Sequence, residues 1–394
     1  MTVHVITDRV MTPPDITEEI VVPNHSAAVL RTPRARLHVD SVATPEPREG
    51  EVLVRVRAVA VNPVDWVIQG TGSMTYRWLR GPAVLGSDVA GEVVAVGPGV
   101  SRFRPGDRVF GLATGTDRGR DPLREGAFQE VTVLLERLAA PIPDGMSDEE
   151  AAVLPLAVST AACALFQPAH LGLPLPEPGR PVSAERGVVV VWGGSTSVGM
   201  NAVQLARAAG YDVVSTASPR NAALVRSLGA DVVVDHHSPG AVDDLVAGIA
   251  GRRVVGAIAL GPTSAEACLA VLRRTGGTAL ALASTPVSLA DLAGRRRLLP
   301  GGLAVFARIG LASVTSALRA RRAGVRSRFI WGSSLRDDDL GPALWGTLLP
   351  AGLADGTLKS VPEPLVVGSG LDAVQPALDR QREGVSAQKI VVRL

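Results

Sequence analysis

An apolar run that ends in a glycine-rich turn and continues as a helix constrains this chain more than any other feature. Residues 188–199 are VVVVWGGSTSVG, and the following MNAVQLARAAG carries apolar residues at helical spacing. Small residues in such a turn let the backbone approach a pyrophosphate, and the free N–H groups at the start of the helix attract its negative charge. The segment therefore predicts a parallel α/β sheet that binds a dinucleotide at this turn.

The turn departs from the simplest glycine pattern for a dinucleotide. Counting back from Gly199, Gly194 occupies the first glycine position and Thr196 stands where the middle glycine would be. A glycine turn in an unrelated α/β sheet is the alternative interpretation, but the strand before the turn and the helix after it favour cofactor binding. The predicted contacts are Gly193, Gly194, Ser195, Thr196, Ser197, Val198 and Gly199.

The second strand of this unit indicates which dinucleotide is bound. NAD sites usually end that strand with an acidic residue on the ribose 2′-hydroxyl, whereas NADP sites lack the acid and supply arginine. Residues 215–221 are STASPRN, which contain no acid. Ser218 can hydrogen-bond to a 2′-phosphate and Arg220 can form a charge-assisted pair with it. NADPH is the predicted cofactor, although Ser218 and Pro219 also suit the start of a helix with Arg220 in solvent.

Strand and helix patterns divide the chain into three stretches. Residues 27–136 contain short β-branched runs between Gly and Pro, which predicts a β-rich domain. Strands then alternate with helices, which predicts βαβ units around a parallel sheet. We expect a discontinuous catalytic domain, formed by residues 1–157 and 359–394 and interrupted by a cofactor domain over residues 158–358. The residues up to about Pro23 are expected to form a loosely held extension.

Charge and cysteine content exclude several classes of protein. The formal net charge is +2, which provides no global field for nucleic acid, and no apolar signal segment opens the sequence. Cys163 and Cys268 are the only cysteines, too few for a disulfide framework or a multi-cysteine zinc site. We therefore expect a cytoplasmic protein without a metal, present as a monomer or a homodimer.

Several further segments follow one another in a characteristic order. They are residues 59–66 (VAVNPVDW), 85–97 (LGSDVAGEVVAVG), 103–110 (FRPGDRVF) and 384–392 (GVSAQKIVV). Together with the glycine turn they resemble the zinc-free, quinone-oxidoreductase-like branch of the medium-chain dehydrogenase/reductase family. The resemblance covers nearly everything from about Ala27 onward except Val287–Arg328. Within the family it is closest to stand-alone enoyl reductases that act in trans with polyketide synthases.

The resemblance implies an α/β protein with a GroES-like β-rich catalytic domain and a doubly wound Rossmann domain. Zinc alcohol dehydrogenases of the family have Cys near the position of Val64, and Gly-His-Glu where this chain has Gly86, Ser87 and Asp88. The carboxylates of Asp65 and Asp88, without His or Cys, suit zinc poorly. We therefore expect no metal at this site.

The reducing site is predicted from the same segments. Without a metal, a simple ketone lacks a strong acid to polarise it. A conjugated carbonyl takes hydride at its β-carbon and needs only hydrogen-bond donors for the resulting enolate. Asn62 is expected to contact the nicotinamide ribose or the substrate, and Thr160 the nicotinamide or pyrophosphate. Lys389 is expected to neutralise a phosphate or the substrate carbonyl. Tyr76 is a candidate proton donor, with water as the alternative, and packing of Tyr76 beside Trp78 is the structural alternative.

An apolar stretch flanked by arginines makes residues Leu298–Arg328 unusual. Gly, Pro and Arg308 inside it argue against a transmembrane helix and against stable membrane insertion. Two interpretations remain open. One is a helical insertion with a solvated basic edge. The other is a lid over a long apolar substrate, with Arg319, Arg321 and Arg322 available to dock an acidic acyl carrier protein.

The combined expectation is an NADPH-dependent reductase of the C=C bond in an α,β-unsaturated carbonyl, with a polyketide-like intermediate as one candidate substrate. Three alternatives stay open. They are a quinone reductase, an enzyme whose enolate closes a ring instead of taking a proton, and a non-catalytic NADPH-binding sensor.

Overall fold

The structure is a computed structural model that describes residues 23–72, 76–176, 186–284, 310–311 and 314–394. Residues 1–22, which contain nearly all of the expected N-terminal extension, and residues 298–309, 312 and 313 of the Leu298–Arg328 segment lie outside the described residues.

The first part of the chain consists mainly of strands, as the β-branched runs predict. The β-branched run at residues 52–60 lies in the strand Glu51–Ala60, whose side chains are nearly all buried because both faces of the strand are covered. The strands of this part are β1 (Asn24–Leu30), β2 (His38–Ala43), β3 (Glu51–Ala60), β4 (Ala83–Val84), β5 (Asp88–Val96), β6 (Arg108–Leu112), β7 (Val131–Leu135) and β8 (Ala139–Pro141).

Two sheets form from these strands, and the end of the chain completes one of them. A small sheet has the order β2-β1-β4, while the larger has the order β15-β16-β3-β5-β6-β8 with β7 also paired to β3. The last two strands, β15 (Glu363–Ser369) and β16 (Gln388–Arg393), are parallel to each other, and β16 runs antiparallel to β3. Residues from both ends of the chain therefore meet in one sheet.

The middle of the chain forms a six-stranded sheet in which every pairing is parallel. Its order is β11-β10-β9-β12-β13-β14. This is the doubly wound order: the chain builds the sheet outward from β9 in one direction and then outward from β12 in the other, so the order reverses between β9 and β12. Ligands bind at that reversal in sheets of this kind. The strands are β9 (Val188–Trp192), β10 (Asp212–Thr216), β11 (Val232–Val234), β12 (Val254–Ala259), β13 (Ala279–Leu282) and β14 (Arg326–Phe329).

Helices cover the sheets and connect their strands. The α-helices are α1 (Pro63–Thr71), α2 (Pro122–Glu125), α3 (Asp148–Ala152), α4 (Pro155–Phe166), α5 (Ser197–Ala208), α6 (Pro219–Ser227), α7 (Ala241–Ile249), α8 (Ser264–Thr275), α9 (Leu340–Ala354, with a π turn at Leu344–Leu348) and α10 (Val374–Glu383). Single 3₁₀ turns occupy Glu136–Leu138, Ser334–Asp337 and Leu371–Ala373.

Helix α4 lies where the two parts of the molecule meet. Eleven of its twelve residues are buried, and one apolar cluster joins α4 to Phe110 and Leu138 on one side and to Val189 and Met200 on the other. The run Asp148–Phe166 is long and apolar enough to cross a membrane by length and composition, but 83% of its apolar window is buried inside the protein. It therefore packs as a core helix.

Candidate functional site: a cavity between the glycine turn and the β-rich part

The turn between β9 and α5 requires glycine at the positions that the sequence singles out. A Cβ on Gly194 would lie 2.1 Å from Ser215 Oγ, and one on Gly199 would lie 2.2 Å from the carbonyl oxygen of Gly193. Gly193 has a φ of 92°, a conformation that favours glycine. The turn is therefore as tight as a pyrophosphate-binding turn must be.

Thr196 explains the departure from the simplest glycine pattern. It is the N-cap of α5: its Oγ1 accepts a hydrogen bond from the N–H of Gly199 at 3.0 Å and donates one to the carbonyl of Gly193 at 2.8 Å. Capping by threonine fixes the start of the helix without a middle glycine. The helix N-terminus still points its remaining N–H groups toward the turn, so the residues fit a dinucleotide phosphate.

A cavity of about 550 Å³ extends from this turn to the β-rich part. It brings together most of the residues that the sequence predicts. Its lining includes Ser195, Thr196, Ser197, Val198 and Ser218 on the cofactor side, and Asn62, Tyr76, Thr160 and Lys389 opposite. Gly193, Gly194 and Gly199 shape the turn behind it. Arg220 lies on the first turn of α6, exposed and outside the lining.

Asp88 organises the β-rich wall of the cavity. Its Oδ2 lies 2.5 Å from Lys389 Nζ and 2.7 Å from Asn62 Nδ2, while its Oδ1 accepts the N–H of Leu156 at 2.6 Å. Lys389 also donates to the carbonyl of Val153 at 3.1 Å. The ammonium expected to face a phosphate or carbonyl is therefore already engaged by a buried carboxylate.

Asp65 is a second buried carboxyl group beside this network. It lies on the first turn of α1, and its Oδ2 accepts the N–H of Asn62 at 2.7 Å. Burial, and secondarily the charge of Asp88, raises the pKa of Asp65 to about 7, although the hydrogen bond from Asn62 and the charge of Lys389 oppose the shift. Asp65 thus exchanges its proton near neutral pH and holds the Asn62 backbone in place.

Thr160 and Cys163 on α4 support the segment that follows β14. Thr160 donates its hydroxyl proton to the carbonyl of Leu156 at 2.6 Å, and a Cβ on Gly332 would lie 2.2 Å from Thr160 Oγ1. Cys163 is buried, its Sγ lies 3.8 Å from the Gly332 carbonyl, and burial raises its pKa to about 11. That thiol remains protonated at neutral pH, so Cys163 belongs to the packed core of α4.

Asp117 is a lining residue that the sequence does not reveal. It accepts hydrogen bonds from Ser333 Oγ at 2.8 Å and Trp331 Nε1 at 3.3 Å, and it pairs with Arg336 at 3.2 Å. Burial raises the pKa of Asp117, and these donors oppose the shift. Its partners are more than 200 positions away, so no local pattern could have identified it.

Asn221 is another lining residue absent from the sequence-based prediction. It follows Arg220 on α6, and its Nδ2 lies 3.1 Å from Ser386 Oγ, which also lines the cavity. The STASPRN segment could have pointed to it, because Asn221 stands one position after the predicted arginine. The pair connects the cofactor side to the segment that ends in Lys389.

The donor set does not fit zinc. Val64 and Ser87 line the cavity where the zinc-binding relatives carry metal ligands, and both oxygens of Asp88 already accept hydrogen bonds, one of them from an ammonium group. Within the described part of the chain, one cluster of metal-ligating side chains occurs, namely Asp235, His236 and His237. None of these three lines the cavity.

The three arginines expected to dock an acidic carrier, Arg319, Arg321 and Arg322, lie among the described residues. Arg319 pairs with Glu266 on α8 at 2.6 Å, whereas Arg321 and Arg322 are exposed. Arg308 and the rest of residues 298–309, the first part of the expected lid, lie outside the described residues.

Comparisons with known proteins agree with this architecture. A family model described as alcohol dehydrogenase GroES-like domain matches residues 48–144, and one described as zinc-binding dehydrogenase matches residues 197–316. Dehydrogenase pigH of Monascus ruber is 44% identical over 91% of this chain and 96% of its own length. Trans-enoyl reductase himH of Aspergillus japonicus is 38% identical over 87% of this chain and 90% of its own length. The crystal structure of an alcohol dehydrogenase superfamily protein from Novosphingobium aromaticivorans matches with a TM-score of 0.68 at 26% identity, over 94% of this chain and 99% of its own.

These matches define the class: an oxidoreductase with a GroES-like part and a Rossmann sheet that binds a nicotinamide cofactor. The chain belongs to the medium-chain dehydrogenase/reductase family. The fold and the family predicted from the sequence motifs are thereby confirmed, together with the predicted similarity to enoyl reductases.

Proposed function

We propose that the protein reduces the carbon–carbon double bond of an α,β-unsaturated carbonyl with NADPH. The charge balance of the cavity carries this proposal. Among the described lining residues only Asp117 and Lys389 bear a formal charge, and each lies beside an opposite charge, Arg336 and Asp88 respectively. A neutral conjugated acceptor suits such a lining better than a phosphorylated or carboxylate substrate, because no lining charge is left without a partner.

The chain supplies neutral hydrogen-bond donors for the developing enolate. NADPH, when bound, supplies the hydride. The side-chain amide of Asn62 has two N–H donors, and since one bonds to Asp88, the other is available to a substrate oxygen. Burial raises the pKa of Tyr76, so its hydroxyl keeps its proton at neutral pH and can donate it. The Thr160 hydroxyl donates a hydrogen bond to the carbonyl of Leu156, so its oxygen can accept a hydrogen bond from a nicotinamide carboxamide.

The preference for NADPH over NADH rests on the end of β10. No acidic residue lies between Thr216 and Asn221, and Ser218 lines the cavity. Arg220, on the first turn of α6, is close enough in sequence to reach a 2′-phosphate bound at Ser218. An acid at this place would repel the phosphate, so its absence favours NADPH.

The likeness to a trans-enoyl reductase suggests where the substrate comes from. We propose a polyketide-like intermediate of secondary metabolism, presented by a polyketide synthase or its acyl carrier protein. The exposed guanidinium groups of Arg321 and Arg322 suit an acidic carrier. We place this reaction in the cytoplasm, consistent with two free, buried cysteines.

The test compares acceptors with purified protein. A short α,β-unsaturated ketone should oxidise NADPH, whereas its saturated counterpart should not. With NADPH that carries deuterium at the transferable position, mass spectrometry or NMR should locate deuterium at the β-carbon of the product. The same product shows whether the enolate is protonated or closes a ring.

Three outcomes would contradict the proposal. Equal reduction of the saturated ketone would indicate carbonyl reduction. Faster turnover of benzoquinone than of any enone would favour a quinone reductase. Tight binding of NADPH without turnover of any acceptor would favour a sensor.

A further inference from the structure

Three aromatic rings lie together at one wall of the cavity. The ring centres of Tyr76 and Trp78 are 5.2 Å apart, those of Tyr76 and Trp331 are 5.8 Å apart, and those of Trp78 and Trp331 are 6.3 Å apart. Tyr76 and Trp331 line the cavity, and Phe329 lines it two positions before Trp331. We call Tyr76, Trp78 and Trp331 the aromatic trio.

The trio is unusual for a chain of this composition. Only 3% of the residues are aromatic, and the chain has 5 Trp and 2 Tyr in total, so three of these seven lie in one cluster. Trp78 and Trp331 remain 36% and 39% exposed, although large aromatic rings that serve only packing are usually covered. Because Trp331 lines the cavity, its exposed ring surface is available to a ligand there.

Hydrogen bonds to two consecutive residues, Thr116 and Asp117, hold the indole rings of the trio in place. Trp78 Nε1 donates to the carbonyl of Thr116 at 2.9 Å, and Trp331 Nε1 donates to Asp117 Oδ1 at 3.3 Å. Asp117 is held in turn by Ser333 and Arg336. The rings are thus positioned before a ligand arrives, which lowers the entropic cost of stacking against them.

We propose that the aromatic trio is a specificity site for a flat, conjugated substituent on the substrate, such as an aryl or polyenyl group attached to the β-carbon of the enone. This inference rests on the proposed function and adds the substrate class. Flat π systems pack favourably on the faces and edges of aromatic rings, and a saturated ring of equal size lacks that interaction. Of the three rings, Trp331 is the one that both lines the cavity and is substantially exposed, so it contributes most to the preference.

The experiment uses two enones with the same reacting group, one with a phenyl and one with a cyclohexyl substituent on the β-carbon. The ratio of their kcat/KM values is compared between wild type and variants, so that intrinsic reactivity cancels. Trp331→Leu should lower the phenyl-to-cyclohexyl ratio about two- to tenfold, the worth of one aromatic contact. Trp331→Phe should keep most of the ratio. Phe103→Leu, a ring lost from the core outside the cavity, should leave the ratio unchanged.

Two results would overturn the inference. In one, Trp331→Leu changes neither kcat/KM value, and in the other it lowers both equally. Either result leaves the ratio unchanged and the trio with packing alone. A protein that turns over no enone would contradict the proposed function instead. The trio is then tested by binding of the corresponding saturated phenyl and cyclohexyl ketones to the NADP⁺-loaded protein, measured by calorimetry. A preference for the phenyl ketone that is lost in Trp331→Leu would support the site, and equal affinities would overturn it.

Discussion

Lys389 Nζ lies 2.5 Å from Asp88 Oδ2 beside the cavity, and both side chains are almost completely buried, at 3% and 0% exposure. Asp88 begins β5 and Lys389 belongs to β16, so the pair connects two strands of the large sheet that are separated by β3. Since Asp88 also bonds to Asn62 and Leu156, the pair positions the two segments that face the cofactor turn.

Breaking this pair on one side should destabilise the protein strongly. Lys389→Met leaves a buried carboxylate without its cation, and Asp88→Asn leaves a buried ammonium without its anion; each should cost about 3–5 kcal/mol in the free energy of unfolding. The double variant should cost less than the sum, which urea unfolding in a double-mutant cycle measures. Arg57→Ala, which removes an exposed pair with Glu92, serves as the control and should have a small effect. If the losses of unfolding free energy were additive, Lys389 and Asp88 would not be energetically coupled.

Asp65 should make stability depend on pH in the acid-to-neutral range. Because burial raises its folded-state pKa to about 7, above the usual value for an aspartate, the folded protein retains a proton that the unfolded chain releases. This contribution is complete below about pH 4 and is lost as the pH rises to 7, by at most about 1.4 kcal/mol per pH unit. Asp65→Asn, which cannot ionise, should remove that slope. The measurement is the difference in unfolding free energy between the two proteins at several pH values; a constant difference would contradict the prediction.

Gly332 should tolerate no side chain while Thr160 is present. The Cβ of Gly332→Ala would lie 2.2 Å from Thr160 Oγ1, so either helix α4 or the segment that carries Trp331 must shift. Overpacking of this kind typically costs about 1–3 kcal/mol. Thr160→Ala removes the clashing oxygen, so Gly332→Ala should cost less stability in the Thr160→Ala background than in the wild-type background. Equal losses from Gly332→Ala in both backgrounds, in thermal unfolding, would place the clash elsewhere.

Tyr76→Phe separates proton donation from packing. The variant keeps the ring that contacts Trp78 and Trp331 but removes the hydroxyl. If the hydroxyl donates to the enolate, kcat should fall by about 100-fold or more, while unfolding hardly changes. Tyr211→Phe is the matched control, because Tyr211 is buried outside the cavity. An unchanged kcat would assign Tyr76 to packing and leave the proton to water.

The parts of the site with local signals could be predicted from the sequence. The helix predicted after the glycine turn is found at Ser197–Ala208, because apolar periodicity and the glycine turn are properties of neighbouring residues. The strand predicted at residues 188–192 is β9, fully buried as a central parallel strand must be.

The opposite wall of the cavity depends on contacts that no local pattern contains. Asp88 and Leu156 are 68 positions apart, and Asp117 and Ser333 are 216 positions apart. The sequence motifs singled out Lys389 and Asp88 separately but did not show that the two side chains pair. Trp331 follows the insertion that lacks a family resemblance and is far in sequence from Tyr76 and Trp78. The aromatic trio can therefore be identified only from the structure.

Arg220 provides the sharpest test of cofactor choice. Its side chain is exposed on the first turn of α6, two positions after the lining residue Ser218. A charge-assisted hydrogen bond to the 2′-phosphate is worth roughly 1.5–3 kcal/mol, so Arg220→Ala should weaken NADPH binding about tenfold to a hundredfold and spare NADH. Arg226→Ala, on the last turn of the same helix, is the control for nonspecific loss of positive charge. Dissociation constants for both cofactors from calorimetry decide the matter: equal weakening of NADPH and NADH, or equal effects of the two substitutions, would remove Arg220 from phosphate recognition.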